Sequence, residues 1–169
     1  MSTESSEFAL SSVAVSLSPV ERFEEFLQSR GKRVTKPRRL IVEQIFSEHE
    51  HFDADGLLER LDRALGRGKV SRPTVYRTLS ELVDAGLLRQ MSLAGRSVYE
   101  HDYGYPQHDH LYCQKCEKLI EFSSDEVRRI REAVAREHNF RVVGHRLIIT
   151  GICQDCTRQR RRVSPHDLV

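Results

Sequence analysis

The sequence predicts an α+β fold, with helices in the first half of the chain, a β-hairpin after them and a β-α-β unit in the second half. Apolar residues recur at helical spacing from position 19 to position 86 and then alternate over short segments. From position 104, short strand patterns surround one further helical pattern. All four cysteines lie in two C-x-x-C pairs of this second half, where a shared metal ion can cross-link a small domain.

Amphipathic stripes, with a proline in the first turn or a glycine at the end, predict the helices of the first half. The segments are PVERFEEFLQSRG, KPRRLIVEQIFSE, DADGLLERLDRALG and SRPTVYRTLSELVDAG. The next segment, LLRQMSLAGRSVYE, predicts a hairpin that turns at Ala94 and Gly95. Helices joined by a turn and followed by a hairpin are typical of a winged helix-turn-helix, which places its second helix in the major groove of DNA. Residues 19–102 are therefore predicted to be a winged-helix DNA-binding domain.

A turn-rich linker, GYPQHDH, begins the second module, which we expect to span residues 103–157. LYC and KLIEF predict strands, SSDEVRRIREAVAREHN predicts a capped helix, and RVVGHRLIITGIC predicts a long strand. The Ser-rich residues 1–18 and the polar residues 158–169 lack such patterns, so we expect flexible tails at both ends.

Charge and composition limit the classes of partner. The net charge is only +2 at pH 7, but a basic segment, residues 30–39 (RGKRVTKPRR), contains no acidic residue. This basic segment is able to contact phosphate, although a solvated start to a helix is the alternative. No apolar run is long enough to span a membrane, and the N-terminus carries Glu4 and Glu7 without the basic start of a signal peptide. We therefore expect a cytoplasmic protein with no membrane partner, in which the paired cysteines stay reduced.

The cysteines predict a zinc site. Cys113 and Cys116 form one C-x-x-C pair, and Cys153 and Cys156 form the other. Each pair can bind one edge of a tetrahedral ion, and four thiolates complete the coordination of Zn²⁺. The alternatives are unligated buried thiols or a redox pair. Because a complete sulfur set leaves no open position, the predicted Zn²⁺ site is structural and not catalytic.

Histidines and acidic residues form a second candidate metal site. His108 and His110 precede the first cysteine pair, Glu121 follows it, and His51 and Glu100 lie in the first module. Mixed imidazole and carboxylate ligands suit Fe²⁺, Mn²⁺, Zn²⁺, Co²⁺ or Ni²⁺. Taken alone, His51 or Glu100 is more simply explained as a solvated residue. An H-x-H motif beside C-x-x-C favours metal binding more strongly.

Several motifs together resemble the ferric uptake regulator family of bacterial metalloregulators: RVTKPRRLIVEQIF, SRPTVYRTLSELVDAGLL, VYE, HDHLYCQKC, LIEF and CQDC. The resemblance extends from about Val20 to Cys156. It implies a homodimeric DNA-binding repressor without enzymatic activity, with an N-terminal winged helix and a C-terminal dimerisation domain. It also implies a palindromic, A·T-rich DNA operator as the partner.

The resemblance assigns residues to three family sites. The residues that match the structural zinc site are Cys113, Cys116, Cys153 and Cys156. Those of a regulatory site between the two domains are His51, Glu100, His108, His110 and Glu121. A third family site is matched only by Asp109 and His145, because Gln107 and Arg128 stand where a His and a Glu would be expected. A cationic Arg repels a metal ion, so we do not expect metal at this third site.

The resemblance favours ferrous iron as the regulatory metal. Peroxide-sensing members of the family favour Asp at the positions of Glu100 and Glu121, and zinc-sensing members often place a Cys in the sensor site. Here both positions are Glu, and every cysteine belongs to the zinc set. We expect Fe²⁺ to act as corepressor of iron-uptake genes, with Mn²⁺ or Zn²⁺ able to substitute. A peroxide-sensing or a manganese- or zinc-responsive regulator is the alternative.

The fourth predicted helix carries the candidate DNA-recognition residues Arg72, Thr74, Tyr76 and Arg77 near its N-terminal end. Arg binds guanine or phosphate, and Tyr packs against thymine methyl groups or phosphate. By resemblance, Tyr76 and Arg77 lie in the recognition helix. Arg33 matches a family residue that enters the minor groove, where narrow A·T-rich DNA attracts a positive charge.

Two rival functions belong to other classes. A metallohydrolase is disfavoured because the sequence contains no H-E-x-x-H motif and no obvious general base apart from the proposed ligands. A zinc-containing DNA-binding protein that senses no metal is the other rival. In such a protein, replacing His110 or Glu121 by Ala would leave repression intact.

Overall fold

The computed structural model describes residue 10 and residues 13–161. The chain divides into two compact units, which adjoin in the sequence between Pro106 and Gln107. Most of residues 1–18 and the end of the predicted C-terminal tail lie outside the described residues.

Helices dominate the N-terminal unit, as the apolar stripes predicted. They are α1 (Pro19–Ser29), α2 (Lys36–Phe46), α3 (Ala54–Leu65) and α4 (Arg72–Asp84). Ser18 and Glu21 form a capping box at the start of α1. Asp53 caps α3, because its carboxylate accepts from the Gly56 N–H at 2.7 Å.

The apolar faces of these helices form the core of the unit. α4 contacts α2 and α3, and its buried side chains include Val75, Leu79 and Leu82. Burying a Leu or Phe side chain stabilises a fold by about 1.5–3 kcal/mol. The core therefore holds α4 with its opposite face toward solvent. The largest fully buried apolar side chains of this unit are Phe23, Leu27, Ile41, Ile45, Leu57, Leu61, Leu79, Leu82, Leu87, Leu88 and Met91.

The predicted hairpin is confirmed as β1 (Leu88–Leu93) and β2 (Arg96–His101), which pair antiparallel. Ala94 and Gly95 connect them with positive φ angles of 49° and 77°, as a two-residue type I′ turn requires. This hairpin after the helices completes the winged helix-turn-helix.

A residue before the hairpin in the sequence also pairs with strand β2. Phe52 forms an antiparallel bridge with Tyr99, with N–H···O distances of 3.1 and 2.8 Å. Because the chains run antiparallel here, the residue before Phe52 lies beside the residue after Tyr99. The bridge therefore places His51 next to Glu100.

The C-terminal unit is a sheet in the order β4-β3-β5 with helices after β4 and β5, which confirms the β-α-β prediction. β3 pairs antiparallel with β4 and parallel with β5. The elements are β3 (Asp109–Cys113), β4 (Leu119–Phe122), α5 (Asp125–Glu137), β5 (Ile148–Gly151) and α6 (Gln154–Arg161).

The strand predicted for RVVGHRLIITGIC is shorter than expected, since only Ile148–Gly151 of this segment is β-strand. Side chains satisfy backbone groups just before it. Asp109 Oδ1 accepts from the Leu147 N–H at 3.2 Å, and Gln107 Nε2 donates to the His145 carbonyl at 3.1 Å. Side chains therefore replace strand partners at the His145 carbonyl and the Leu147 N–H, while the Leu147 carbonyl still accepts from the His110 N–H of β3 at 3.0 Å.

The helix α6 also differs from the prediction. It continues to Arg161, so residues 158–161 are helical where the sequence predicted the start of a flexible tail. The Arg and Gln residues of this segment have good helix propensity, which allows the helix to continue after the last cysteine. Within the described part of the chain, no helix has both the length and the apolar composition that crossing a bilayer requires.

Candidate metal sites and nucleic-acid interface

The four cysteines converge at one end of the C-terminal sheet. Cys113 ends β3, and a turn through Glu117, at φ 60°, follows Cys116. Cys153 and Cys156 lie at the start of α6, just after β5. The four Sγ atoms are all within 4.8 Å of one another, and those of Cys116 and Cys153 are 3.7 Å apart. Sulfur atoms about 2.3 Å from a tetrahedral Zn²⁺ are about 3.8 Å apart, so the cluster has the size that Zn²⁺ requires.

The electrostatics of this cluster favour a bound cation. The backbone N–H groups of Cys153 and Cys116 lower the pKa of Cys113 to about 6, and the first of them lies 3.3 Å from its Sγ. Burial, followed by the neighbouring sulfur atoms, raises the pKa of Cys156 to about 12. The Cys113 thiolate therefore forms readily, and its negative charge opposes ionisation of the neighbouring cysteines. A divalent cation held by the four sulfur atoms would offset this repulsion, so that the whole set could ionise.

His108, His110 and Glu121 form a second cluster, within the C-terminal unit. Alternation at the start of β3 puts the two imidazoles on one face, with ring centroids 4.7 Å apart. The β3–β4 register places His110 opposite Glu121, and His108 Nε2 lies 3.8 Å from Glu121 Oε1. The candidate ligand atoms of these residues are within 4.8 Å of one another, and His110 is only 2% exposed. Two imidazoles and a carboxylate fit Fe²⁺, Mn²⁺ or Zn²⁺.

His51 and Glu100 lie together in the N-terminal unit. His51 Nε2 is 3.3 Å from Glu100 Oε2, and both side chains are largely buried. The backbone bridge between Phe52 and Tyr99 holds this arrangement. The unit therefore presents one imidazole and one carboxylate side by side, which are ligand types that first-row divalent metals accept.

Asp109 and His145 also lie together, and an arginine side chain contacts His145. His145 Nε2 is 3.0 Å from Asp109 Oδ1, and Arg131 Nη1 is 3.1 Å from His145 Nδ1. Gln107 Oε1 accepts from the same Arg131 nitrogen at 3.3 Å. Arg128 forms an ion pair within α5 instead, so the arginine at this place is Arg131, one turn further along the helix. The sequence did not identify Arg131, and its guanidinium disfavours a metal ion here.

The candidate recognition residues lie on the N-terminal half of α4. Tyr76 is 44% exposed, Arg72 and Arg77 are exposed, and Thr74 is half-buried. Arg72 forms an ion pair with Asp55 at 2.7 Å, and both side chains are well solvated. Because solvated ion pairs contribute little free energy, Arg72 can exchange this carboxylate for a phosphate at small cost.

The basic segment is attached to α4 through a buried carboxylate. Lys32 Nζ lies 2.9 Å from Glu81 Oε1, and Arg38 Nη2 lies 3.0 Å from Glu81 Oε2. Arg38 also donates to the Arg33 backbone carbonyl at 3.2 Å, while the Arg33 side chain is exposed. Glu81 was not among the residues predicted from the sequence. The available signal was an acidic residue within the apolar stripe of α4.

Comparisons with known proteins agree with one another. The model of the ferric uptake regulator family matches residues 29–150. The ferric uptake regulation protein of Campylobacter jejuni is 31% identical over 144 residues, which cover 85% of this chain and 92% of the relative. The crystal structure of the Vibrio cholerae ferric uptake regulator superposes with a TM-score of 0.65 at 33% identity, covering 77% of this chain and 98% of that one. A zinc-bound manganese uptake regulator superposes with a TM-score of 0.58 at 38% identity, covering 78% and 98%.

Proposed function

Because the chain belongs to the ferric uptake regulator family, and is therefore a transcription regulator and not an enzyme, we propose that it represses iron-uptake genes when it binds ferrous iron. The observation that carries the proposal is the cluster of His108, His110 and Glu121, whose donors differ in kind from the sulfur cluster. Thiolates retain Zn²⁺ tightly, whereas imidazole and carboxylate donors suit a metal that exchanges with the cell. Two such sites allow one protein to have both a structural and a sensed metal.

The cysteine cluster is proposed to hold the structural Zn²⁺. Its sulfur spacing and the lowered pKa of Cys113 support this assignment. With Zn²⁺ bound, Cys113 and Cys116 would be cross-linked to Cys153 and Cys156. The ion would thus join the end of β3 to the start of α6. We expect this cross-link to stabilise a unit whose own apolar core is small.

The regulatory ligands are proposed to be His51, Glu100, His108, His110 and Glu121. These residues would hold a divalent cation, whose charge would offset that of the two carboxylates. The strand register and the backbone bridge hold each part of the set in place before binding, which lowers the ordering cost. Ligands from both units would then favour one arrangement of those units over others. A coupling of about 1–3 kcal/mol would change operator affinity roughly 5- to 150-fold.

The DNA contacts are proposed to involve both grooves. Arg72, Thr74, Tyr76 and Arg77 would contact the major groove, and Arg33 would enter the minor groove of an A·T-rich palindromic operator. The exposure of Tyr76, Arg77 and Arg33 supports these roles. In a homodimer the two copies of α4 would face two half-sites, so their separation decides which operators fit.

Proteins of this family act as homodimers, and the surface of the C-terminal unit supports the same assembly here. The structure describes all of α5, and none of its residues is buried despite an apolar stripe that includes Ile130 and Val134. Ile130 is 65% exposed, and Val143 is 92% exposed. Large apolar side chains exposed along one helix face, such as Ile130 and Val134, are typical of protein–protein interfaces. We propose that a second copy of the chain covers them.

The experiment that tests the proposal is an anaerobic gel shift with a duplex that the protein selects from a random-sequence pool. Operator affinity of the wild type should rise roughly 5- to 150-fold when Fe²⁺ is added. Glu121→Gln should lose this response. Glu43→Gln, which changes an exposed carboxylate on α2, is the matched control and should keep it. Equal affinity of the wild type with and without Fe²⁺ would rule the proposal out.

A manganese-responsive regulator is the second candidate, because a manganese uptake regulator is 38% identical to this chain. Imidazole and carboxylate donors alone do not separate Mn²⁺ from Fe²⁺. Parallel titrations with Fe²⁺, Mn²⁺ and Zn²⁺ distinguish them by the free metal concentration at which DNA binding begins. Mass spectrometry after peroxide treatment tests the peroxide-sensing alternative, which predicts a one-oxygen adduct on His51 or His108.

A further inference from the structure

We propose that Glu81 is a positioning residue for DNA recognition, which holds the basic segment, residues 30–39, against α4 so that Arg33 is presented to the minor groove. The inference rests on the proposed function, since it depends on Arg33 contacting DNA. Glu81 itself is buried and touches no DNA in this proposal.

Glu81 carries a negative charge inside the N-terminal unit. The residue is only 5% exposed. Lys32 and Arg38 both approach its carboxylate, at 2.9 Å and 3.0 Å. A buried carboxylate is stable only when cations and hydrogen-bond donors compensate its lost hydration. The two cationic partners are therefore held to α4 more firmly than residues of a solvated ion pair would be.

These contacts fix the backbone on both sides of Arg33. The Lys32 N–H donates to the Leu27 carbonyl at 2.8 Å, and Arg38 donates to the Arg33 carbonyl at 3.2 Å. Val34 packs against the hydrophobic core. The Arg33 side chain is nevertheless exposed. Because its backbone is already fixed, Arg33 loses only side-chain conformational entropy when it binds a ligand.

The same carboxylate connects this segment to the recognition helix. Arg77 precedes Glu81 by one turn of α4, so the two side chains lie on neighbouring parts of the helix surface. A contact at Glu81 therefore sets the spacing between Arg33 and the exposed end of α4. That spacing determines whether the protein can occupy the major groove and an adjacent minor groove together.

A simple charge effect predicts a different result. Removing a negative charge from a protein that binds a polyanion strengthens binding to all duplexes alike. Under that account Glu81→Gln and Asp84→Asn would both increase affinity for every duplex. Asp84 is a suitable comparison because it lies on the same helix and forms a solvated pair with Arg30 at 3.2 Å. The positioning role instead predicts a loss that is specific to A·T minor grooves and to Glu81.

The test measures the ratio of affinities for two duplexes with the metal-loaded full-length protein. One duplex is selected from a random-sequence pool by the wild type, and the other has its A·T flanks replaced by G·C. A third duplex with inosine·C flanks restores the minor-groove surface of A·T. The wild type should prefer the first and third duplexes, and Arg33→Ala should bring the ratio near one. Glu81→Gln should lower the affinity ratio toward the value for Arg33→Ala, and Asp84→Asn should leave the ratio unchanged. The double variant Arg33→Ala/Glu81→Gln should have the same ratio as Arg33→Ala alone.

A second measurement does not depend on DNA. Amide hydrogen exchange in residues 31–36 of the free protein should accelerate in Glu81→Gln and not in Asp84→Asn. If Glu81→Gln does not fold, Lys32→Met removes the contact from the segment side, where the side chain is half exposed. Lys32→Met should lower the affinity ratio as Glu81→Gln does, while its circular dichroism spectrum stays that of the wild type.

These measurements distinguish a failure of the positioning role of Glu81 from a failure of the proposed DNA contact of Arg33. Unchanged exchange and an unchanged ratio in Glu81→Gln, with the ratio lost in Arg33→Ala, overturn the positioning role and leave the DNA contact of Arg33 standing. An unchanged ratio in Arg33→Ala removes that contact and the positioning role with it.

Discussion

At the scale of single residues, strand geometry explains why the sulfur cluster and the imidazole–carboxylate cluster are separate. His110 and Cys113 both lie on β3. They are an odd number of residues apart, so their side chains project from opposite faces of the sheet. Asp109 and Glu121 show the same alternation, since β4 places Glu121 opposite His110 and leaves Asp109 opposite Phe122. The local period of two thus sorts soft and borderline donors into different sites.

A cysteine variant tests the sulfur site. Cys113→Ser should reduce zinc content to a small fraction of one ion per chain and lower the melting temperature, because a hydroxyl at this place does not ionise to complete the thiolate set. Elemental analysis after purification and thermal unfolding by circular dichroism measure the two effects. Tyr112→Phe, the neighbouring position on β3, should keep both values near the wild type. Full zinc retention in Cys113→Ser would contradict the assignment.

At the scale of secondary-structure elements, α4 has one face buried in the core and an exposed face that carries the proposed DNA contacts. Its buried face contains Val75, Leu79 and Leu82, and its exposed face contains Tyr76 and Arg77. The packing of the buried face against α2 and α3 determines where the exposed face points. If α4 contacts DNA as proposed, core packing would therefore affect DNA binding through this helix.

The buried face can be tested by stability. Leu82→Ala should destabilise the N-terminal unit by about 2–5 kcal/mol, since it leaves a cavity at a fully buried position. Urea unfolding monitored by circular dichroism measures this loss. Ser80→Ala, at an exposed position of the same helix, should change stability by no more than about 0.5 kcal/mol. Similar values for the two variants would show that the helix is not packed as described.

The start of α1 predicts a pH dependence. The Ser18 hydroxyl and backbone N–H lower the pKa of Glu21 below its ordinary value of 4.5. The stabilisation that Glu21 contributes is therefore complete above pH 4.5 and is lost as pH falls through its lowered pKa. Ser18→Ala should raise the Glu21 pKa toward 4.5, which carboxyl NMR titration measures. The difference in melting temperature between variant and wild type should shrink on acidification, and a difference that grows instead would contradict the capping role.

At the scale of the whole molecule, the proposed function depends on a surface of the C-terminal unit that a second copy would cover. Ile130 and Val134 of α5 and Ile149 of β5 are exposed and belong to the proposed interface with a second copy. A palindromic operator would engage two copies of α4, so DNA binding by the N-terminal unit would require association through the C-terminal unit.

An interface variant tests this dependence. Val134→Asp should shift the protein from dimer to monomer and weaken operator binding at least tenfold, because a carboxylate in an apolar interface loses its hydration. Light scattering coupled to size-exclusion chromatography measures the mass, and a gel shift measures DNA binding. Arg129→Glu, on a different side of α5, should remain dimeric. A dimeric Val134→Asp would exclude this surface as the interface.

The sequence by itself determined the helices and hairpin of the first half, the β-α-β order of the second and the pairing of the cysteines, because these follow from local periodicity and ligand spacing. Only the tertiary structure revealed the buried contacts of Glu81 with Lys32 and Arg38, the presence of Arg131 instead of Arg128 beside His145, and the short β5. Each of these depends on partners distant in the sequence, and a local pattern contains no information about which side chain will reach a buried charge or an unpaired backbone group.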